Sequence, residues 1–240
     1  MRINVYISST GFCSRREADR LIASGKVTVD GTVAKVGQDI TESNAVFVEG
    51  IKISDRPKTV YLAFNKPEGI VTTTDQTKPN NIIDFIGYPE RIFPIGRLDK
   101  DTSGLILLTN DGQIVNRILR SENDHEKEYI VEVDHDIDDE FIKRMEEGIV
   151  IYNPVRHESV KTKSSRVHKI SKRTFKLIIT QGLNLQIRRM CSALGYHVDH
   201  LQRIRIINIE LGGLAIGTWR HLTEPEMVEL IKRIHRISSI

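Results

Sequence analysis

Asp99 is the residue in this sequence whose surroundings most suggest chemistry. It ends the stretch Gly96-Arg97-Leu98-Asp99 and comes shortly before a strongly apolar run at residues 105–108. No histidine, cysteine or paired acid lies beside it at a spacing typical of hydrolytic or metal-dependent sites, and Asp101 fits a turn or surface acid. An isolated aspartate in a turn usually bonds only to nearby backbone. A functional Asp99 would therefore have to act as a single carboxylate, as nucleophile or base.

Two further segments carry groups that such a carboxylate could use. Lys127-Glu128-Tyr129 begins an alternating apolar stretch, and residues 182–190 place Arg188 and Arg189 near the start of a helix. Each segment also has an ordinary explanation, because a tyrosine on a strand is usually packed in the core and a basic helix start is usually a solvated surface. The segments become informative only together and in this order.

Composition limits the class of protein. The chain has 240 residues, 39% of them hydrophobic and 28% charged, which fits a soluble globular protein of one large or two unequal domains. No apolar run approaches the roughly 20 residues that span a membrane, and the N-terminus lacks a signal-peptide core. Cys13 and Cys191 lie far apart, which argues against a disulfide scaffold or a zinc site. We expect a cytoplasmic protein with no membrane segment and no metal.

Positive charge is concentrated in one part of the chain. The net charge is only +3, but residues 156–189 hold ten Lys or Arg and one acid, whereas residues 134–147 are acidic. Such a basic stretch fits a face for phosphate groups and equally a solvated basic hairpin. Charge alone does not decide between them.

The first part of the chain predicts two helices followed by a small sheet. Ser14 and Glu17 have the spacing of a capping box, and Asp30-Gly31 is a hairpin signal. This part resembles an S4 domain, a small RNA-binding module. The residues that carry the resemblance are Ser8 to Ala18, Ile22, Gly25, Val27, Val29 and Gly31. The resemblance implies salt-sensitive contacts with RNA phosphates from a basic cluster that consists of Arg15, Arg16, Arg20 and Lys26.

The rest of the chain predicts an α+β domain. Strand-like segments dominate its middle and helices are interspersed without regular alternation, which favours a largely antiparallel mixed sheet flanked by helices. Strands are predicted at residues 60–64, 70–73, 105–108, 128–133, 174–180 and 204–211, and helices at residues 114–119, 138–148, 185–194 and 224–237. The predicted domains are residues 1–48 for the S4 domain and 60–240 for the second domain, joined by a linker at 49–59.

The three chemical segments resemble, in this order, the pseudouridine synthases that carry an N-terminal S4 domain. Asn65-Lys66-Pro67 and residues 219–223 extend the resemblance through nearly the whole chain. It implies an enzyme that isomerises uridine to pseudouridine in structured RNA after flipping the base out of its helix. The reaction loses no group and involves no redox change, so no cofactor is implied.

The resemblance also implies a role for each site residue. The catalytic residues would be Asp99, Tyr129 and Arg188, the substrate pocket would include Arg97, Leu98 and Ile187, and further RNA contacts would come from Lys66, Lys127 and Arg189. Arg188 would pair with Asp99 and keep its carboxylate ionised. Tyr129 would stack on the target uracil. Arg97 would fill the space that the flipped base leaves. Asn184 and Gln186 could contact the RNA or brace their loop, and bracing is favoured.

The stretches around these residues favour the branch of the family that modifies 23S rRNA. We expect a monomeric enzyme that binds an rRNA stem-loop. Two alternatives stay open. The same chemistry could act on another rRNA site or on a tRNA anticodon stem-loop, or the chain could be a non-catalytic assembly factor that binds rRNA. The intact set of Asp99, Tyr129 and Arg188 argues against the second alternative.

Replacing both Arg15 and Arg16 by alanine should weaken binding to long RNA and flatten its dependence on salt. With fewer phosphate contacts, binding releases fewer counterions from the RNA. The logarithm of the binding constant, plotted against the logarithm of the salt concentration, measures this. An unaltered slope would remove the S4 domain from the RNA contacts.

Overall fold

A computed structural model describes residues 1–41, 43–53, 57–119, 124–154 and 157–236. These residues form two compact units. The first consists of residues 1–60 with the short segments 88–92 and 110–112, and the second holds the remainder. No helix in the described part of the chain is both long enough and apolar enough to cross a membrane.

The first unit has two helices and a four-stranded antiparallel sheet in the order β2-β1-β3-β4. Its elements are α1 (Ile3–Ser9), α2 (Arg15–Ala23), β1 (Val27–Val29), β2 (Thr32–Val33), β3 (Val46–Val48) and β4 (Ile51–Ile53). The predicted cap is present, since the Ser14 hydroxyl accepts a hydrogen bond from the Glu17 amide at 3.1 Å. Ala18 and Ile22 of α2 are buried in a core shared with α1 and the sheet. The predicted order of helix, helix and sheet is confirmed.

The predicted linker at residues 49–59 begins inside this sheet, because Ile51–Ile53 is its edge strand and pairs with β3. Part of the linker, residues 54–56, lies outside the described residues, as does residue 237 at the end of the predicted last helix. The domain ranges themselves stay a prediction.

The second unit is built on a mixed sheet in the order β11-β12-β8-β13-β7-β5-β15, with β6 and β14 paired to β7 and β13. Its strands are β5 (Tyr61–Lys66), β6 (Phe93–Ile95), β7 (Ser103–Thr109), β8 (Lys127–Val133), β11 (Arg166–Lys169), β12 (Thr174–Ile179), β13 (Val198–Ile206), β14 (Ile209–Glu210) and β15 (Trp219–His221). A separate hairpin consists of β9 (Val150–Asn153) and β10 (Glu158–Lys161). The helices are α3 (Ile82–Ile86), α4 (Gly112–Leu119), α5 (Asp139–Glu147), α6 (Gln186–Ala193) and α7 (Glu224–Arg236).

The expected α+β class with a largely antiparallel mixed sheet is confirmed. Among the described strands of the large sheet, only β7 and β13 pair in parallel. Residues 105–108 of β7 are apolar and no more than 1% exposed, because both faces of the strand are covered there. On one face, Leu105 and Leu107 share a core with side chains of α4 and α7. Thr223 and Glu226 have the sequence spacing of a capping box, and the structure forms it at the start of α7.

Two predicted strands differ from the structure. The strand predicted at 204–211 is two strands, β13 and β14, because Ile207 turns the chain with φ +55. Residues 70–73, predicted to be extended, contribute only an isolated bridge between Val71 and Asn81. The Thr72 side chain instead fixes the loop that holds Asp99, as described below.

The close approach of β13 to Gly104 predicts a large cost for any side chain there. A Cβ at Gly104 would lie 2.3 Å from the Arg203 carbonyl oxygen, and the residue has φ +100. Gly195 has a similar φ of +86 but open space around it. In chemical denaturation, Gly104→Ala should lower the free energy of unfolding by about 1–3 kcal/mol more than Gly195→Ala. Equal losses would mean that the conformation alone, and not the contact, demands glycine.

Candidate active site

Asp99 lies half-buried on the loop between β6 and β7. Its carbonyl accepts a hydrogen bond from the Thr102 amide at 3.1 Å, which closes a turn just before β7. The preceding residue, Leu98, is buried, and its backbone is held from both sides by Thr72. The Thr72 hydroxyl donates to the Leu98 carbonyl at 2.8 Å and accepts from the Leu98 amide at 3.3 Å. The carboxylate is therefore carried on a fixed backbone.

Lys66 fixes the other side of the same loop. Its ammonium donates to the carbonyls of Pro67 and Ile70, both at 2.9 Å, and of Lys100 at 3.3 Å. The side chain has no exposed surface. The expectation that Lys66 contacts an RNA phosphate is therefore corrected. Its three donors are used inside the fold, where they tie the turn after β5 to the residue after Asp99.

Tyr129 lies on β8, two strands away from β7 in the sheet. It is 7% exposed, and none of the described residues forms a hydrogen bond with its hydroxyl. The strand between is β13, where Arg203 lies opposite both Tyr129 and Gly104. The register thus brings Tyr129 to the end of the sheet where β7 receives the Asp99 loop.

Arg188, on α6, does not form the ion pair with Asp99 that the sequence led us to expect. Its Nη1 donates to the Val198 carbonyl at 2.9 Å and its Nη2 to the Asp101 carbonyl at 2.5 Å. Within the described part of the chain, Asp99 makes no ion pair at all. A planar guanidinium can satisfy two carbonyls at once, and here it joins the loop after Asp99 to the start of β13.

The loop before α6 is braced as predicted. The Asn184 carbonyl oxygen accepts from Arg189 at 2.8 Å, and the buried Gln186 side chain accepts from the Leu183 amide at 2.9 Å. Arg189 also donates to the Tyr152 carbonyl at 3.1 Å. Ile187 is 5% exposed and adds apolar surface on the same helix. Two nitrogens of the Arg189 guanidinium thus already donate hydrogen bonds within the protein. The phosphate contact of Arg189 stays a prediction.

Burial perturbs two lysines near the site. It lowers the pKa of Lys66 to about 8, while the carboxylates of Asp101, Glu68 and Asp99 oppose this shift. It also lowers the pKa of Lys127 to about 8, and the positive charge of Arg203 adds to that shift. Lys127 is half-buried and donates to the His125 carbonyl at 3.0 Å. Both lysines thus lie within electrostatic reach of Arg203, and Lys66 also lies within reach of Asp99.

Arg97 is an exposed cation on the Asp99 loop. None of the described residues bonds to its guanidinium. It lines a cleft of about 400 Å³ together with Thr72, Lys78 and Lys100. A free arginine at the edge of such a cleft is able to enter a space that a substrate opens.

The predicted RNA contacts of the first unit divide into two kinds. Arg15 and Arg16 are exposed and free of ion pairs with described residues. Arg20 pairs with Glu17 at 2.7 Å and Lys26 pairs with Glu49 at 2.7 Å. Exposed pairs of this kind exchange readily with a phosphate, since they are worth at most about 1 kcal/mol.

The basic stretch of the second unit is also partly neutralised. Lys163 pairs with Asp124 and Arg166 with Glu126, each at 2.5 Å, and Lys176 pairs with Glu128 at 2.9 Å. Residue 156, where the stretch begins, lies outside the described residues. In the described ranges, no three His, Cys, Asp or Glu side chains are grouped to hold a metal ion.

Comparison with known proteins gives the family context. A family profile described as RNA pseudouridylate synthase matches residues 60–193, and the S4 domain profile matches residues 1–46. The first range contains Asp99, Tyr129 and Arg188.

Two curated proteins and one solved structure cover nearly the whole chain. The dual-specificity RNA pseudouridine synthase RluF of Escherichia coli (strain K12) is 48% identical over 241 residues, which is 100% of this chain and 81% of that protein. The ribosomal large subunit pseudouridine synthase B of Bacillus subtilis (strain 168) is 36% identical over 238 residues, 95% of each. A crystal structure of a pseudouridylate synthase has a TM-score of 0.70 at 30% identity, covering 96% of this chain and 99% of that one.

Replacing Lys66 by methionine should destabilise the fold without altering the electrostatics of RNA binding. Three carbonyls would lose their donor, and the free energy of unfolding should fall by about 2–4 kcal/mol. The slope of RNA affinity against salt should stay unchanged, because no phosphate contact is lost. Lys100→Met, at an exposed lysine on the same loop, is the control and should change stability by less than about 0.5 kcal/mol. A flatter salt slope for Lys66→Met would restore the phosphate role.

Proposed function

This chain belongs to the RNA pseudouridylate synthase family, in the form that carries an N-terminal S4 domain, and we propose that it converts a specific uridine of structured ribosomal RNA into pseudouridine. The observation that carries the proposal is Asp99, a half-buried carboxylate on a loop fixed by Thr72 and Lys66 within the matched range. The relative from Bacillus subtilis, named for the large ribosomal subunit, supports rRNA as the substrate.

The reaction needs one well-placed carboxylate and no external reagent. The bond between uracil N1 and ribose C1′ breaks, C1′ bonds to C5, the C5 proton leaves and N1 takes up a proton. Product and substrate have the same atoms and the same oxidation state. Asp99 would act on the bound nucleotide as nucleophile or base, with no cofactor.

The target base must leave its helix before it reacts, at a cost of a few kcal/mol. Arg97, exposed beside the cleft, would enter the space that the base vacates. The flipped uracil would stack on Tyr129, a contact worth about 1–3 kcal/mol. Leu98 and Ile187 would provide apolar walls that keep water away from the reacting bonds.

Arg188 would act through the backbone rather than through an ion pair. By holding the Asp101 carbonyl against the start of β13, it would keep Asp99 and the sheet at a fixed separation. A catalytic group that is misplaced by about 1 Å can lose two orders of magnitude in rate.

The S4 domain and the basic strands would orient the RNA. Arg15 and Arg16 are the exposed cations of the first unit best suited to hold phosphates, and Arg20, Lys26, Lys127 and Arg189 would add to them. These contacts position the RNA but carry little sequence information. We propose a stem-loop of 23S rRNA as the substrate of a monomeric enzyme in the cytoplasm.

A tRNA anticodon stem-loop is the second candidate substrate. The relative from Escherichia coli is named as a dual-specificity RNA enzyme, which supports more than one RNA for this chain. Pseudouridine mapping at nucleotide resolution in total RNA, with and without this protein, identifies the substrate. Sites lost only from 23S rRNA would rule out the tRNA.

Asp99→Asn should reduce conversion by about 10³-fold or more while RNA affinity stays within a few-fold, because the amide is neither a base nor a nucleophile. Tritium release from RNA labelled at uridine C5 measures conversion. Asp101→Asn makes the same change two residues away and should retain activity. Near-normal conversion by Asp99→Asn would refute the catalytic assignment, and an inactive natural enzyme would favour an assembly factor.

A further inference from the structure

Arg203 is a buried cation with a donor that the fold does not use. The residue lies on β13 and is 4% exposed. Its Nε donates to the Leu105 carbonyl at 2.7 Å, which fixes the side chain against β7. Its Nη2 is fully buried, and the described residues offer it no acceptor. Buried donors are nearly always paired, so an unpaired guanidinium N–H needs a reason.

Arg205, two residues further along the same strand, has the ordinary structural pattern. Its Nε bonds to Glu128 at 2.7 Å and its Nη2 to Glu126 at 3.0 Å. Its Nη1 donates to the Ile207 carbonyl at 2.6 Å, so all three of its guanidinium nitrogens have acceptors. The free donor of Arg203 is therefore not a general property of this strand.

The register places Arg203 between Tyr129 and the start of β7. It lies directly opposite Tyr129 on one neighbouring strand and opposite Gly104 on the other. Side chains of directly opposed residues point to the same face of a sheet. A uracil stacked on Tyr129 would therefore meet the face from which the Arg203 guanidinium extends. Gly104 adds no side chain that would obstruct it.

The surrounding charges strengthen this placement. The positive charge of Arg203 helps lower the pKa of both Lys66 and Lys127, and Asp99 acts on Lys66 in the opposite direction. Arg203 thus lies within electrostatic reach of the group that holds the Asp99 loop. The family profile ends at residue 193, before this strand.

We propose that Arg203 is a further catalytic residue, which stabilises the negative charge that develops on uracil when its bond to ribose breaks. The inference rests on the proposed function. In that step the electron pair of the N1–C1′ bond stays on the uracil ring and spreads onto its carbonyl oxygens. C1′ then bonds to C5, the C5 proton leaves and N1 is protonated, so atoms and electrons balance without a co-reactant.

A donor without a partner in the resting enzyme is suited to this task. Donors aimed at the position where charge develops act most strongly when they are buried and already oriented. The bond from Nε to Leu105 provides that orientation. A hydrogen bond from the unused Nη2 to a uracil carbonyl oxygen would strengthen as negative charge develops there, so it would favour the transition state over the bound substrate.

The test compares Arg203→Gln and Arg203→Lys with the natural enzyme in single-turnover reactions on a stem-loop RNA that the natural enzyme converts. Arg203→Gln should lower the maximal rate by about 10²-fold while the RNA concentration at half-maximal rate changes less than about threefold. Arg203→Lys keeps the charge and should recover about tenfold of the loss. Circular dichroism and the thermal midpoint report on folding, and the lysine variant keeps the test valid if the glutamine variant does not fold.

The decisive comparison uses RNA that carries 5-fluorouridine at the target position. Fluorine withdraws electrons from the ring, so the departing base needs less stabilisation. The loss caused by Arg203→Gln, measured as disappearance of the target nucleotide, should shrink to about tenfold or less with this RNA. Arg205→Gln, which breaks the structural pair, should give the same loss with both RNAs.

Equal losses for uridine and 5-fluorouridine in Arg203→Gln would overturn the proposal and leave Arg203 a structural residue. A raised half-saturating RNA concentration at an unchanged maximal rate would make it a binding residue instead. Both outcomes require an active natural enzyme. Failure of the proposed function would differ, since the natural enzyme would then convert neither RNA.

Discussion

The parallel contact between β7 and β13 at Gly104 is the constraint on which the candidate site depends. It is the parallel pair within an otherwise antiparallel set of described strands, and it lets two backbones approach so closely that no side chain fits between them. Strand β7 begins where the Asp99 loop ends, and β13 lies against the strand of Tyr129. This one backbone contact therefore fixes the Asp99 loop relative to the strand of Tyr129, although the two are far apart in the chain.

The second constraint on the candidate site is the burial of positively charged side chains. Lys66 and Arg203 are buried and Lys127 is half-buried, and the Asp99 carboxylate acts on Lys66. Burying cations is costly unless hydrogen bonds or opposite charges offset it. Three carbonyl acceptors offset this cost for Lys66. For Arg203 the offset is incomplete, because its Nη2 has no acceptor among the described residues. The unused donor of Arg203 is therefore available to the negative charge that the proposed reaction creates.

The sequence predicted local structure well, because caps, turns and periodicity are encoded within a few residues. The Ser14 and Thr223 caps, the α2 helix and the core strand at 105–108 all follow from such signals. Asp99 and Tyr129 are candidates because of the resemblance of short motifs, and their roles stay predictions. Lys66 was misjudged, since a lysine beside a proline turn looks solvated until the loop around Lys100 folds over it. Arg188 was expected to form an ion pair with Asp99. It binds two backbone carbonyls instead, and the sequence could not show this because they lie about ten and nearly ninety residues away. Arg203 gave no signal at all, because an arginine within an alternating strand becomes unusual only when the register places it opposite Tyr129.

Strand β11 is an edge strand of the large sheet, and its composition affects whether copies of the protein associate through this edge. An exposed edge strand can recruit a strand from another molecule and so begin aggregation. Three of the four residues of β11 are Arg166, His168 and Lys169, and all three are exposed. A second copy of this edge would bring like charges together, so self-association through it is disfavoured. The same positive charges would attract a polyanion. One strand would therefore both oppose self-association and favour the proposed contact with RNA.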